Sequence, residues 1–213
     1  MKSIITAALA LAITLTLAAC EEKKKQDGTT TEPAAAETQQ PSQEAAAPKP
    51  AENTGGGFKT VKIGNQTWMA ENLNIETGNS KCYDNDPANC QKYGRLYDLK
   101  AAKTACPSGW KLPSKEEWDV LVDFAGGEQA AGKKLKAKSG WENNGNGTDE
   151  FGFSALPGGW NSGGSFDNVG KDGHWWSTPP EAYNQYMLYN YDYVGSDFGD
   201  WDGYLLSVRC IQN

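Results

Sequence analysis

The sequence has little of what several common function classes require. It contains one His, His174, so a Ser-His-Asp or Cys-His arrangement would have to use that residue, and His174 lies in a strand-like GHWW run where a structural role is expected. Neither a GxxxxGK segment followed by Ser or Thr nor a dinucleotide-binding glycine pattern occurs. Lys and Arg total 20 against 27 Asp and Glu, giving a net charge of -7, which argues against nucleic acid as a partner. The mean hydropathy of -0.66 excludes a polytopic membrane protein.

The N-terminal quarter of the chain lacks aromatic residues, since all 8 Trp, 9 Tyr and 6 Phe lie at or after Phe58. Residues 1–19 combine a short basic start with an apolar run that is too short for a membrane span, which is typical of a signal peptide. The run ends in LAAC, which resembles the bacterial lipobox, so we predict that Cys20 carries the lipid anchor. The alternative is an ordinary secretory signal whose cleavage site precedes a cysteine.

Residues 20–57 form the second segment. After Cys20 they contain no Ile, Leu, Val, Met or aromatic residue and are rich in Ala, Pro, Glu, Thr and Gln. Such a composition cannot bury enough apolar surface to offset the entropy of ordering, so we predict a disordered tether. Glu21 follows the cysteine where an inner-membrane retention signal would have Asp, which favours an outer-membrane anchor, facing either the periplasm or the cell surface. The remaining residues, 58–213, are long enough for one domain with its own core.

Cysteine usage agrees with export. Without Cys20, four of the five cysteines remain, and an even number in an oxidising compartment implies two disulfides with three possible connectivities. We favour Cys82–Cys90, which closes a polar loop, and Cys106–Cys210, which ties the chain end to the middle of the domain. A zinc site is the alternative, but no C-x-x-C pair is present.

The first half of the domain shows a hairpin and helices. Residues 60–74 alternate around a Gly-Asn turn, which predicts a β-hairpin, and residues 99–105 predict a short helix after a strand at 94–98. Ser114 and Glu117 form a capping-box pattern before an apolar face repeating at helical spacing. A second helix is predicted from residue 128 to 138, with its KKLKAK run as a solvated face.

From Ser139 onwards the helical patterns disappear and Gly/Asn-rich loops dominate. Four short runs predict strands, at residues 151–155, 173–177, 185–190 and 204–210. The chain is therefore expected to be α+β, with helices in the first half and a loop-rich antiparallel sheet in the second, and Cys210 places the last strand inside the sheet.

Six sequence blocks in one order carry a family resemblance. They are VKIGNQTWMAENLN, CYDNDPANCQKYGRLYDLKAA, ACPSGWKLPSKEEWDVL, GTDEFGFSALPGGW, GHWWST and LLSVRC. Together, across residues 60–211, they resemble the Fibrobacter succinogenes major paralogous domain, which is typically carried on bacterial lipoproteins and implies no biochemical activity. At superfamily level the resemblance extends to the C-type-lectin-like fold of formylglycine-generating enzymes, where a Gly-Gly-Trp segment and a terminal Arg-Cys strand also occur.

Aromatic residues are the strongest functional signal, because Trp and Tyr stack on the apolar faces of sugar rings. Tyr189, Tyr191 and Tyr193 alternate at period two and are predicted to share one strand face. Core packing is the alternative for every aromatic residue. The candidate ligand-binding residues are Trp160, Trp176, Tyr191, Tyr193 and Trp201.

A calcium site is a separate hypothesis, because some C-type lectins bind sugar through this ion. Asp197, Asp200 and Asp202 lie in one loop and could supply the oxygen ligands that calcium prefers. The alternative is a solvated acidic loop. The Glu-Pro-Asn and Gln-Pro-Asp motifs of calcium-dependent lectins do not occur.

These patterns favour a lipid-anchored envelope protein with a non-catalytic binding module whose partner is a polysaccharide or another envelope protein. One alternative is a structural envelope lipoprotein without a specific ligand. The other is a hydrolase or a formylglycine-generating type of enzyme, although a free, metal-binding cysteine pair would be needed for the latter.

Overall fold

A computed structural model describes residues 57–178 and 183–213. The domain contains short strands, four α-helices and one 3-10 turn at Tyr83–Asn85. The strands are β1 (Thr60–Ile63), β2 (Gln66–Met69), β3 (Ser80–Lys81), β4 (Leu96–Tyr97), β5 (Trp110–Lys111), β6 (Trp160–Ser162), β7 (Ser165–Asp167), β8 (Asp172–Trp176), β9 (Tyr183–Leu188), β10 (Gly195–Phe198), β11 (Tyr204–Ser207) and β12 (Ile211–Gln212). The helices are α1 (Pro87–Tyr93), α2 (Leu99–Ala105), α3 (Lys115–Phe124) and α4 (Glu128–Leu135). The α+β class is confirmed.

The strands form two sheets. The first has the order β1-β2-β12-β5, so the chain end lies between the predicted hairpin and β5. The second has the order β10-β9-β8-β11-β4-β3, with β6 and β7 attached to β11. Neighbouring strands are antiparallel except β11 and β8, which run parallel. The last part of the chain thus enters the centre of both sheets, as Cys210 indicated.

Two of the sequence-based element predictions differ from the structure. Residues 151–155 form no strand, and only an isolated bridge joins Ala155 to Lys136. The polar segment between Cys82 and Cys90 contains the start of α1, where the Asp86 side chain accepts the Ala88 N–H and a proline occupies the first turn.

The capping box before α3 is present, with the Ser114 and Glu117 side chains accepting each other's backbone N–H groups.

The second sheet separates two hydrophobic clusters. On one face Trp175 of β8 and Met187 of β9 join the larger cluster, in which Trp68 packs against Trp118 with ring centroids 5.0 Å apart. The other cluster includes Trp176, which is fully buried and donates its indole N–H to the Tyr97 carbonyl at 2.7 Å. Alternation along β8 sends neighbouring tryptophans to opposite sides of the sheet.

A buried arginine lies at the centre of the domain. Arg209 is fully buried, and its guanidinium donates to the Asn72 side-chain oxygen and to the backbone carbonyls of Met69 and Phe153. Burial lowers the pKa of Arg209 to about 9, so the group stays protonated at neutral pH. Asn72 also accepts the Trp175 indole N–H at 2.8 Å, which joins the chain end to both sheets. Fixed carbonyl dipoles offset the loss of water around this charge.

Lys136 corrects the prediction that KKLKAK is a solvated face. Its side chain is buried and donates to the carbonyls of Leu188 at 3.1 Å and Tyr191 at 2.8 Å, and its ammonium lies 5.1 Å from the centre of the Trp141 ring. Burial lowers the pKa of Lys136. The charge run looked uniform in sequence, but α4 ends at Leu135, and the extended backbone at Lys136 places its side chain among buried carbonyls.

Both disulfides have the predicted connectivity, Cys82–Cys90 and Cys106–Cys210. Arg95 donates to both sulfurs of the first disulfide at 3.7 Å and forms an ion pair with Glu76 at 3.0 Å. The second disulfide joins the end of α2 to the residue before β12. It therefore links the two sheets to the helical half of the domain.

The predicted signal peptide, the lipidated Cys20 and the tether up to residue 56 lie outside the described residues. Within residues 57–178 and 183–213, none of the helices has the length and apolar character that crossing a bilayer requires.

Candidate functional site

Two of the five predicted aromatic residues meet on one surface. Trp160, at the start of β6, and Trp201, in the loop before β11, are both half-buried and pack against Tyr204. The Trp160 and Tyr204 ring centroids lie 5.7 Å apart at 36°, while Trp201 meets Tyr204 edge-on at 5.0 Å. These three residues are called the aromatic wall below. Such tilted and edge-on contacts hold rings in fixed positions.

The aromatic wall borders a cleft of about 300 Å³. This space, called the aromatic cleft, is lined by Trp160, Asp172, His174, Tyr186, Leu188, Asp197, Trp201, Tyr204 and Leu206. Its volume suits a ligand of small-molecule size or one unit of a polymer.

Strand register explains why the floor of the cleft has this composition. His174 of β8 lies opposite Tyr186 of β9, and Asp172 lies opposite Leu188. Asp197 of β10 lies opposite Asn184, which is two residues before Tyr186 and so shares its face. Because side chains alternate along a strand, these positions all point away from the main core.

Two glycines permit close contacts beside this surface. Gly159, just before Trp160, has a φ of 64°, and a Cβ there would collide with the Asp167 carbonyl. Gly195 pairs with Tyr186 across β9 and β10, and a Cβ at Gly195 would collide with the Tyr186 ring. The Tyr186 ring therefore occupies the space above Gly195.

His174 occupies the centre of the floor. Its Nδ1 lies 3.0 Å from the Asn184 side-chain oxygen, and its ring stacks on Tyr186 with centroids 5.7 Å apart. Burial lowers the pKa of His174, although Asn184 and the nearby carboxylates of Asp172 and Asp197 oppose that shift. The ring is neutral at pH 7, and since an amide oxygen can only accept, Nδ1 donates and Nε2 keeps a lone pair.

The two carboxylates of the cleft have different surroundings. Asp172 is half-buried and accepts a hydrogen bond from the Asn168 side chain at 2.6 Å. Burial raises the pKa of Asp172, against the opposing effects of His174, Asn168 and Lys171. Asp197 is exposed, and only its backbone carbonyl receives a bond from Asn184, at 3.5 Å.

The indole nitrogen of Trp201 is a donor without an acceptor. It is buried, and no hydrogen-bond partner is found for it among residues 57–178 and 183–213. Trp201 and Tyr204 also line a neighbouring cleft, together with Lys100 and Lys103 of α2 and with Asp200 and Asp202. The pair thus forms a ridge between two concave surfaces.

The three other aromatic candidates lie away from the cleft. Trp176 is fully buried, so it offers no ring face to a ligand. Tyr191 is 48% exposed and contacts the Tyr193 ring at 5.0 Å, but neither residue lines the cleft. The predicted strand face of Tyr189, Tyr191 and Tyr193 is wrong, because β9 ends at Leu188 and a turn follows.

The structure places the three calcium candidates in two different clefts, and calcium binding stays a prediction. Asp197 lines the aromatic cleft, whereas Asp200 and Asp202 line the neighbouring one. The Asp200 carboxylate accepts the Asp202 backbone N–H at 3.1 Å, which closes a small turn. In the part of the chain that the structure describes, no three His, Cys, Asp or Glu side chains come together as a possible metal site.

Six residues of the cleft were not predicted from the sequence: Asp172, His174, Tyr186, Tyr204, Leu188 and Leu206. The signal that could have found the first three is strand alternation, since DGHWW and YNQYML each place buried and half-exposed positions in turn. Tyr204 could not have been found that way, because its partners Trp160 and Trp201 lie on a separate strand and a loop.

Comparison with known proteins gives one match. The family model described as Fibrobacter succinogenes major domain matches residues 61–212. No curated protein and no solved structure matches the chain. The likeness to a C-type-lectin-like fold accordingly stays a prediction.

Proposed function

This chain belongs to the Fibrobacter succinogenes major domain family, and we propose that its domain is a non-catalytic module that binds polysaccharide in the aromatic cleft. The observation that carries the proposal is the aromatic wall of Trp160, Trp201 and Tyr204, held half-exposed beside polar groups that point into the same space. Stacking surfaces combined with a few polar groups are the usual composition of small-molecule sites.

The polar groups complement sugar hydroxyls. The carboxylates of Asp172 and Asp197 and the Nε2 lone pair of His174 accept hydrogen bonds, and hydroxyls can donate to them. A pyranose ring resting on the wall would keep its hydroxyl rim within reach of these acceptors. Polar groups that a ligand covers lose free energy when they stay unpaired, which favours a ligand rich in donors.

The composition of the cleft supports binding without catalysis. No Ser, Thr, Cys or Lys occurs among the described residues that line it, so a nucleophile of those types is not beside His174. Both pairs of domain cysteines are disulfide-bonded, which leaves no free thiol pair of the formylglycine-generating type. Asp172 and Asp197 are the only carboxylates among those same lining residues, and a hydrolase would have to use them.

The proposal includes the cellular setting. Residues 1–19 as a signal peptide, Cys20 as the lipid anchor and residues 20–57 as a tether would hold the domain on the outer membrane and let it reach a surface. A Cys20→Ser variant, fractionated beside the wild type, tests this part. We expect the wild type in the membrane fraction with acyl chains and the variant without them; a wild type in aqueous extracts would contradict it.

The binding test uses the full chain in detergent. Insoluble cellulose pull-down and a glycan array are run with the wild type, Trp201→Ala and Trp160→Ala. Each variant should weaken binding about tenfold, because loss of one stacking contact of about 1.4 kcal/mol changes affinity by that factor. Phe124→Ala is the matched control, since Phe124 is 50% exposed on α3, away from the cleft, and its loss should leave binding unchanged.

Two outcomes would overturn the proposal. Binding to no polysaccharide on the array would favour the structural lipoprotein, or a module for another envelope protein. Release of reducing ends from a bound polysaccharide, abolished in Asp172→Asn, would favour a hydrolase.

Binding should also persist after chelation of divalent cations, since the described residues gather no metal site.

A further inference from the structure

The charge of the aromatic cleft restricts which sugars it can accept. Its lining contains two carboxylates, Asp172 and Asp197, and no Lys or Arg occurs among the described residues that line it. Among the described residues that line the cleft, His174 is the one basic side chain, and burial keeps its ring neutral at pH 7. The cleft therefore presents negative charge to any ligand that enters it.

The nearest cations are placed where they neutralise this charge only in part. Lys171 precedes Asp172 in the chain, is exposed and lies outside the cleft lining. Lys100 and Lys103 line the neighbouring cleft, on the far side of the Trp201–Tyr204 ridge, together with Asp200 and Asp202. A ligand in the aromatic cleft thus has the two carboxylates in its lining, whereas these ammonium groups lie outside that lining.

The hydrogen-bond capacity of the cleft points the same way. The carboxylate oxygens and the His174 Nε2 can only accept, so the ligand must supply donors to them. The donor on the wall, the Trp201 indole N–H, can be satisfied by a neutral hydroxyl oxygen. A sugar hydroxyl does so, whereas a carboxylate or sulfate group on the sugar would bring a second acceptor and a like charge. Like charges within one cleft repel each other, and the repulsion is stronger near a protein surface than in bulk water.

Resting on the proposed polysaccharide function, we infer that the aromatic cleft selects neutral sugar units and excludes uronic acid and other anionic sugars, with Asp172 and Asp197 as the residues that determine this specificity. The ligand class of the cleft is therefore hydroxyl-rich, uncharged pyranose units.

Matched polymers test this selection. Affinity electrophoresis of the full chain in detergent compares hydroxyethyl cellulose with carboxymethyl cellulose, and methyl-esterified pectin with its de-esterified form. Each pair shares a backbone and differs in charge. We expect retardation by a neutral member and at least tenfold weaker retardation by its acidic partner at low ionic strength.

The variant Asp172→Asn with Asp197→Asn should bind the acidic member within about threefold of the neutral one. The control is Glu116→Gln with Asp123→Asn, which makes the same change in net charge on α3. That helix packs beneath the core face of the second sheet, where its Trp118 lies 6.2 Å from Trp175, so the control should keep the wild-type preference. If both double variants relieve the exclusion equally, the net charge of the whole chain is responsible and the inference is wrong.

The outcomes for the two proposals are separate. Retardation by neither member of any pair contradicts polysaccharide binding itself. Equal retardation by both members leaves polysaccharide binding intact and overturns the charge selection. Should the cleft double variant unfold, the single variant Asp197→Asn decides, because Asp197 is exposed on β10. It should narrow the preference for the neutral polymer, and an unchanged preference would overturn the inference.

Discussion

The two faces formed by β8 and β9 differ sharply, although alternating residues of the same two strands form them. On the core face Trp175 and Met187 are fully buried, and the Trp175 indole donates to Asn72. On the cleft face His174 and Tyr186 are half-buried, stack on each other and border a space of about 300 Å³. Successive side chains along one strand thus serve stability and the site in turn.

This difference shows how the domain carries a site without weakening its core. The core face joins the chain end to both sheets through Asn72, which accepts from Trp175 and Arg209.

On the other face, Trp176 is fully buried and bonds to Tyr97, whereas the His174 side chain bonds to nearby Asn184. The half-buried residues at the cleft can therefore be changed at small cost. We expect substitutions on the core face to lower stability, and substitutions on the cleft face to lower binding.

The largest expected effect is loss of the disulfide beneath the cleft face, where Cys210 belongs to the same cluster as Trp176. Cys106→Ala should lower the free energy of unfolding by about 4.7 kcal/mol and Cys90→Ala by about 2.6 kcal/mol. The reason is that the Cys106–Cys210 bond closes a far longer loop than the Cys82–Cys90 bond. Urea unfolding measures both. Equal losses would mean that loop entropy does not govern these bonds.

Adjacent residues of β8 give the sharpest contrast between the faces. Trp175→Ala should cost about 3–5 kcal/mol, since it leaves a cavity in the main core and removes one of the hydrogen bonds that the Asn72 oxygen accepts. His174→Ala should cost about 1 kcal/mol, mainly its bond to Asn184, while weakening polysaccharide binding. Thermal unfolding and cellulose pull-down together test the contrast. A larger stability loss at His174 would reverse the assignment of the two faces.

Gly195 allows the cleft to be perturbed through one ring. Gly195→Ala should push the Tyr186 ring from its position, because the new Cβ would overlap the ring, and weaken binding several-fold at a stability cost of about 1 kcal/mol. In a Tyr186→Ala background the same change should have no further effect on binding, as the double-mutant cycle requires. Additive losses would show that Gly195 acts through the backbone instead.

The smallest effect is a pH dependence from His174, whose pKa burial lowers. Below the unfolded pKa of about 6.5 the unfolded chain takes up a proton that the folded chain resists, so stability falls as the pH falls below that value. One proton limits the slope to about 1.4 kcal/mol per pH unit. Burial raises the pKa of Asp172, so above about pH 3.8 the unfolded chain releases a proton that the folded chain keeps. This group therefore lowers stability as the pH rises, which is the opposite of the effect of His174. The His174→Gln variant should lose the slope near pH 6; an unchanged slope there would assign it to another group.

Local patterns were predictable where neighbouring residues decide the outcome. The hairpin of β1 and β2, the helix at 99–105 and the capping box at Ser114 follow from turn residues, spacing and side-chain bonds within a few positions. The disulfide pairing followed from the even number of cysteines and the loops they close.

Errors arose where distant parts of the chain determine the environment. Lys136 looked solvated, but carbonyls from Leu188 and Tyr191 bind it, more than fifty residues away. Tyr191 and Tyr193 looked like one strand face, but β9 ends before them. Trp176 looked equivalent to Trp160 as a ligand residue, yet the packing of α2 and β4 against it leaves no exposed ring.

The sequence by itself determined the α+β class, the family, the cysteine pairs and the residue types suited to sugar, because these depend on composition, spacing and short-range patterns. Only the tertiary structure decided which of those residues meet. The aromatic cleft draws on β6, β8, β9, β10, β11 and the loop before β11, so strand register and the half-burial of each ring determine its membership. Trp160, Trp201 and Asp197 joined His174 and Asp172 there because folding brings them to one face of one sheet, which no local pattern records.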